Sequence, residues 1–172
     1  IDIYLGAKCT FWISTGCGFD AVPLIFRRPI AYVVVPLGLC SPSSKNYLIL
    51  TKHHINKLNK KELSVSEIFL SNTGMAYKDE IFKNNNIELQ ENTPEEIRDL
   101  VIEMDDRIKD KWHETGEDIL LQKSFWYIFE KCMNNLNLNP EQYAKIKVQF
   151  YLGKIKAKFS AKYLRNNKNW IN

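Results

Sequence analysis

Apolar residues recur along this chain in two periods. Short continuous runs at Phe11–Ser14, Ile30–Val35 and Tyr47–Thr51 read as buried strands. Ile30–Val35 is rich in β-branched residues, as in a parallel strand covered on both faces. Between the first two runs, Val22, Ile25 and Phe26 fall at helical spacing within Asp20–Phe26, and Pro29 stops that helix. Strand, glycine turn, helix and strand make a βαβ unit across Phe11–Val35. Ile1–Lys8 reads as the last turns of a helix feeding the first strand. With no initiator Met, this start leads us to expect the carboxyl-terminal part of something longer.

Helix signals follow. Ser64-x-x-Glu67 is a capping box, with Ile68 and Phe69 facing inward, and Tyr77–Lys83 reads as a second short helix. Ile87–Glu91 alternates apolar and polar, as an edge strand does. Thr93 at the N-cap, Pro94 at the first helical position and Glu96 three residues past the cap predict a helix to about Lys111. Its apolar stripe is Ile97, Leu100, Val101, Met104, Ile108 and Trp112; Asp99, Glu103, Asp105, Asp106 and Asp110 read as a solvated acidic face. A further helix starts at Thr115–Asp118 and runs to about Met133, with Phe125, Trp126, Tyr127 and Phe129 read as core aromatics rather than a stacking platform. Asn134–Pro140 reads as a linker. In the basic segment Glu141–Asn172, Ile155, Phe159 and Tyr163 recur every fourth residue, which predicts an amphipathic helix. These readings divide the chain into an α/β domain over 1–140 and a carboxyl-terminal helix over 141–172 packed on it.

Composition narrows this picture only a little. The 172 residues suffice for one domain with a real core, and 45% hydrophobic with 26% charged residues is ordinary for a globular protein. No apolar run reaches the length of a membrane span, and no signal sequence opens the chain. Cys9, Cys17, Cys40 and Cys132 form no C-x-x-C pair, so they read as free thiols in a reducing, cytoplasmic setting, and no metal site is predicted. The net charge of +4 permits an anionic partner without demanding one.

The candidate chemistry concentrates in the turn. Two glycines at Gly16 and Gly18, at a strand-to-helix junction, let a ligand approach free backbone N–H groups, the arrangement of a phosphate or diphosphate cradle. A tight turn that only packs is the alternative, since G-x-G lacks the third glycine of the dinucleotide fingerprint. Lys52, Lys57, Lys60 and Lys61 read either as a basic rim or as a solvated loop. His53 and His54 are neighbours that a strand would turn to opposite faces, a poor metal pair. Cys17 offers a rival reading as a nucleophile, which would need His53, His54 or His113 close in space.

The stretches STGCGFDAVPLIFRRPIAYV, SVSEIF, IELQENTPEEI, EDILLQKSFWYIF and GKIKAKFSAKYLRNN, taken in that order, resemble a family of bacterial glycosyltransferases associated with surface-polysaccharide biosynthesis. The resemblance runs from about Tyr4 to Ile171. It implies a GT-B fold, of which this chain would be the carboxyl-terminal, donor-binding half, a Rossmann-like, mostly parallel sheet flanked by helices. It implies that Ser14, Thr15, Gly16, Cys17, Gly18, Phe19 and Asp20 hold the diphosphate of a nucleotide-sugar, with Asp20 capping the helix. In that family position 17 is more often serine; cysteine keeps the backbone donors and loses a good hydroxyl. The catalytic base would come from an amino-terminal domain, so none is assigned here. The implied partners are a nucleotide-sugar donor and a glycan or lipid-linked acceptor, without cofactor, metal or nucleic acid. A peripheral contact with the inner membrane through the basic helix fits the same picture. Two other functions stay open: a sugar-nucleotide epimerase, which would share the turn, and a non-enzymatic anion- or nucleotide-binding module whose basic carboxyl-terminal helix grips nucleic acid or lipid headgroups.

Overall fold

The computed structural model describes residues 1–37, 46–76, 78–136 and 157–171. Helix α1 (Asp2–Lys8) leads into strand β1 (Trp12–Ser14). A 3-10 turn at Gly18–Asp20 runs into the five-residue helix α2 (Ala21–Ile25). Strand β2 (Ile30–Val35) follows, then β3 (Tyr47–Thr51). These three strands pair in parallel, and the anticipated burial of β2 and β3 holds, with all five residues of β3 buried. The chain is an α/β protein built on this parallel sheet.

The helix after the turn is shorter than the apolar spacing predicts. It ends at Ile25, and Arg27 takes φ 55, so the chain turns off before Pro29 is reached. Beyond β3, strand β4 (His53–Asn56) forms a separate antiparallel pair with β5 (Ile87–Gln90). Helices α3 (Val65–Leu70) and α4 (Asp79–Asn84) lie between those two strands in sequence. The capping boxes at Ser64, Thr93 and Thr115 all form, the last with Asp118 as its carboxylate. They open α3, α5 (Pro94–Ile108) and α6 (Gly116–Asn134). Helix α5 packs across β2 and β3.

The carboxyl-terminal segment departs from the sequence reading. Lys158–Phe159 is a strand, β6, paired in parallel with β3, and helix α7 (Ala161–Asn166) begins only after Ser160 caps it. A 3-10 turn at Lys168–Ile171 follows. The fourth-residue spacing of Ile155, Phe159 and Tyr163 mimicked a helix. Pairing with β3 instead buries Phe159 between a partly exposed Lys158 and the buried cap Ser160. The sheet, in the order β1-β2-β3-β6, takes its fourth strand from this carboxyl-terminal segment. Residues 141–156, and most of the expected linker and of the loop after β2, lie outside the described residues.

The core forms where β3, β6, α6 and the carboxyl-terminal turn meet. Phe125 sits 4.1 Å from Phe159 between ring centroids and stacks on Trp170 at 5.5 Å and 9°. Burying a phenylalanine of this kind contributes roughly 1.5–3 kcal/mol. Phe125 and Phe129 are core residues as expected, whereas Tyr127 points outward, 67% exposed. Glu103 leaves the supposed acidic face altogether: it is buried, takes two hydrogen bonds from Arg107 and accepts the backbone N–H of Ala161. It sits one residue from Met104 on the stripe, so the packing of α7 against α5 covers it.

Candidate anion-binding turn at the carboxyl end of the sheet

The Ser14–Asp20 turn leaves the carboxyl end of β1. Ser14 is buried, and its hydroxyl oxygen accepts the N–H of Gly16 at 3.0 Å. That short loop needs Gly16 at φ +83, and a Cβ there would also press on Val35 Cγ1 at 3.2 Å. Thr15, Gly16, Cys17 and Gly18 are exposed, while Phe19 tucks back against Trp12 at 5.3 Å. Asp20 is buried, but it makes no side-chain cap to α2. Its Oδ1 instead accepts from the Cys17 thiol at 3.7 Å, so the capping role expected of it is not formed.

What the turn offers is backbone. The N–H groups of Cys17, Gly18 and Phe19 have no acceptor among the described residues; the next, Asp20, donates to the carbonyl of Cys17. Space above Gly18 is open, with no heavy atom within 4 Å of where a Cβ would stand. A five-residue helix sums only a small dipole, so attraction for an anion here comes from individual N–H donors.

Around the turn, the carboxyl ends of β2 and β3 are held by Asn92. Its Oδ1 accepts the N–H of Val34 at 3.2 Å, and its Nδ2 donates to the carbonyl of Thr51 at 2.8 Å. Val34 sits at φ 58, a strained backbone for a β-branched residue, where the β2–β3 register shifts. Sequence reasoning placed Asn92 merely ahead of a helix cap. Its burial was the missing clue, because one amide can satisfy a donor and an acceptor at the same two strand ends.

His53 and His54 do face opposite ways. His53 lies between two carboxylates, Glu62 at 2.6 Å from Nδ1 and Glu96 at 3.0 Å from Nε2. The hydrogen bonds to Glu62 and Glu96 push its pKa up to about 10. His53 is thus an imidazolium with both nitrogens engaged, and it cannot act as a base near neutrality. His54 is fully buried, with Nδ1 bonded to the carbonyl of Lys52 at 3.0 Å, and burial brings its pKa down to about 4. No histidine hydrogen-bonds Cys17, so the Cys–His nucleophile is not assembled among the described residues. The lysine rim is largely spent: Lys52 pairs with Glu91, Lys60 with Glu88 and Lys61 with Glu67. Among the described residues no cluster of His, Cys, Asp or Glu is arranged to hold a metal ion, and no helix is long and apolar enough to cross a membrane. Cys9, Cys17 and Cys132 are free thiols.

The described strands progress in one direction from β1 to β6, with no reversal of order, so the turn stands at the outermost strand rather than between two interior ones. No protein-family model, no curated protein and no solved structure matches this chain.

Proposed function

We propose that this chain binds the diphosphate of a nucleotide-sugar at the Ser14–Asp20 turn and serves as the donor-binding portion of a glycosyltransferase. One observation carries the reading: three consecutive backbone N–H groups, Cys17 to Phe19, have no acceptor among the described residues, in a largely exposed turn at the carboxyl end of a parallel strand. Such donors are what an oxyanion needs, and the carboxyl ends of strands are where α/β proteins place phosphates. The sugar-transferase assignment adds the resemblance of the quoted motifs to this chemistry. In the proposed reaction the acceptor hydroxyl attacks the anomeric carbon. The bond to the leaving nucleoside diphosphate breaks, and the turn stabilises the departing charge. The proton passes to a base outside the described residues.

The test is calorimetric titration with UDP, GDP, CMP and dTDP at two salt concentrations. One nucleotide should bind saturably, with affinity that depends on the base far more than on salt. Gly18→Val should fold, because its Cβ enters open space, and should lose at least about tenfold in affinity, a loss of roughly 1.4 kcal/mol. Unchanged affinity in the folded variant sinks the cradle.

A further inference from the structure

Side-chain amides stand in for ladder hydrogen bonds at two places in the parallel sheet. On the outer strand β6, Gln122 Nε2 donates to the Phe159 carbonyl at 2.6 Å, and its Oε1 accepts the Phe159 N–H at 3.2 Å. That pair closes the backbone of one residue. The Asn92 amide instead bridges two interior strands, β2 and β3, where their register breaks.

Tyr32 pairs with Ile49 and Val35 pairs with Thr51, so β2 takes three steps where β3 takes two. One residue of β2 is extra, and Val34 absorbs it at φ 58, a conformation that a branched Cβ resists. In an unbroken register Val34 would stand opposite Thr51; the bulge puts Val35 there. Val35 is also the side chain beside the Ser14–Asp20 turn, its Cγ1 3.2 Å from where a Cβ on Gly16 would stand. The bulge thus sets which side chain lies against the turn. Asn92 holds the bulge. Val34 needs an acceptor and Thr51 needs a donor, and one buried carboxamide supplies both. Glu96, itself bonded to the Thr93 N–H and to His53, stands 3.5 Å from the same Nδ2.

We infer that Asn92 is a positioning residue for the anion-binding turn. It holds the β2 bulge that sets Val35 against Gly16, and through that contact it fixes the directions of the Cys17, Gly18 and Phe19 N–H groups. This role presupposes that the turn is a diphosphate cradle. Asn92 acts through Val34 and Val35, not by contact with the ligand. Without its amide, the strain at Val34 has nothing to oppose it, and the residue relaxes toward extended backbone. Val35 then moves, and the turn loses the side chain it packs on.

Two readouts test this on the wild-type chain, on Asn92→Ala and on Asn92→Ala with Val34→Gly: the backbone amide resonances of Gly16–Phe19, and calorimetric titration with UDP, GDP, CMP and dTDP. Asn92→Ala should shift the turn resonances and weaken the nucleotide that the wild type binds by about tenfold or more. Glycine takes φ 58 without strain, so adding Val34→Gly should bring both readouts back toward wild type. Should Asn92→Ala fail to fold by circular dichroism, Asn92→Asp serves in its place, since it keeps the acceptor for Val34 and loses the donor to Thr51. Turn resonances unchanged in a folded Asn92 variant overturn the role. So does a loss that Val34→Gly leaves in full. If the wild type binds none of the four nucleotides, the cradle fails, and the resonances still decide whether Asn92 sets the turn.

Discussion

The four-stranded sheet has one flank that is closed and one that is open. On the β6 flank side chains from distant segments meet described polar groups: Gln122 covers Phe159, Glu103 takes the N–H of Ala161, and His53 balances two carboxylates beside Tyr163, while the Tyr163 hydroxyl and Trp170 Nε1 are buried without a partner among the described residues. On the β1 flank the backbone of Ile13 and the N–H groups of Cys17, Gly18 and Phe19 are left unpaired among the described residues, and large apolar side chains face outward. Polar satisfaction is costly to arrange, because each partner must be positioned and ordered.

The largest break in that contrast should come from the charge of the closed flank. His53 faces Glu62, Glu96, the ring of Tyr163 and its neighbour His54. Its folded pKa of about 10 lies above the ordinary 6.5. Its stabilisation is therefore complete below pH 6.5 and is lost as the pH rises from there through 10. Losing that imidazolium leaves two carboxylates facing each other without a counter-charge, a penalty on the order of 3–5 kcal/mol. His54 runs the other way. Its folded pKa of about 4 lies below 6.5, so its contribution is present above pH 6.5 and lost as the pH falls through 4. Melting temperature measured against pH should thus fall on both sides of a maximum. His53→Gln should flatten the alkaline limb, and His54→Leu the acid one. An alkaline limb of the same depth in His53→Gln would remove His53 from the account.

The next test asks whether Gln122 does the work of a strand. Phe159 is fully buried, so its N–H and C=O cannot turn to water. Gln122→Leu keeps the bulk and leaves both groups unpaired, at a cost of about 2–4 kcal/mol. Gln122→Glu keeps an acceptor for the N–H and loses the donor, so it should fall between the two. Chemical denaturation of the three proteins gives the order; a Gln122→Leu protein as stable as wild type would mean that the edge needs no cap.

Part of the fold is legible in the sequence alone. The strand–turn–helix–strand unit, the capping boxes at Ser64 and Thr93 and the opposed histidines follow from local rules. Those rules use only residues three or four apart, or alternation along one strand. The closed flank was not legible, because its parts lie far apart in sequence: Gln122 with Phe159, Glu103 with Ala161, His53 with Glu96. Glu103 looked like its solvated neighbours because helical periodicity places it at the margin of the stripe, and only the arrival of α7 buries it. β6 was read as helix because two residues of strand carry too little periodic signal against a flanking four-residue repeat. The turn was located by its glycines. The failure of Asp20 to cap depends on where Cys17 points its thiol, which spacing does not encode.

The smallest expected effect belongs to the open flank, and it sharpens the contrast most. Ile13 stands 46% exposed and its N–H and C=O meet no partner among the described residues, so Ile13→Lys keeps its charge in solvent and orphans no hydrogen bond. The unfolding free energy of the variant should stay within about 0.5 kcal/mol of wild type, as for ordinary surface changes. Gln122→Leu, at the other edge of the same sheet, should cost several times more. The ratio matters more than either value, because both substitutions alter an edge strand's environment by one side chain. Comparable losses would mean that β1 is held by Ile13 as firmly as β6 is held by Gln122, and that the open flank is not open in solution.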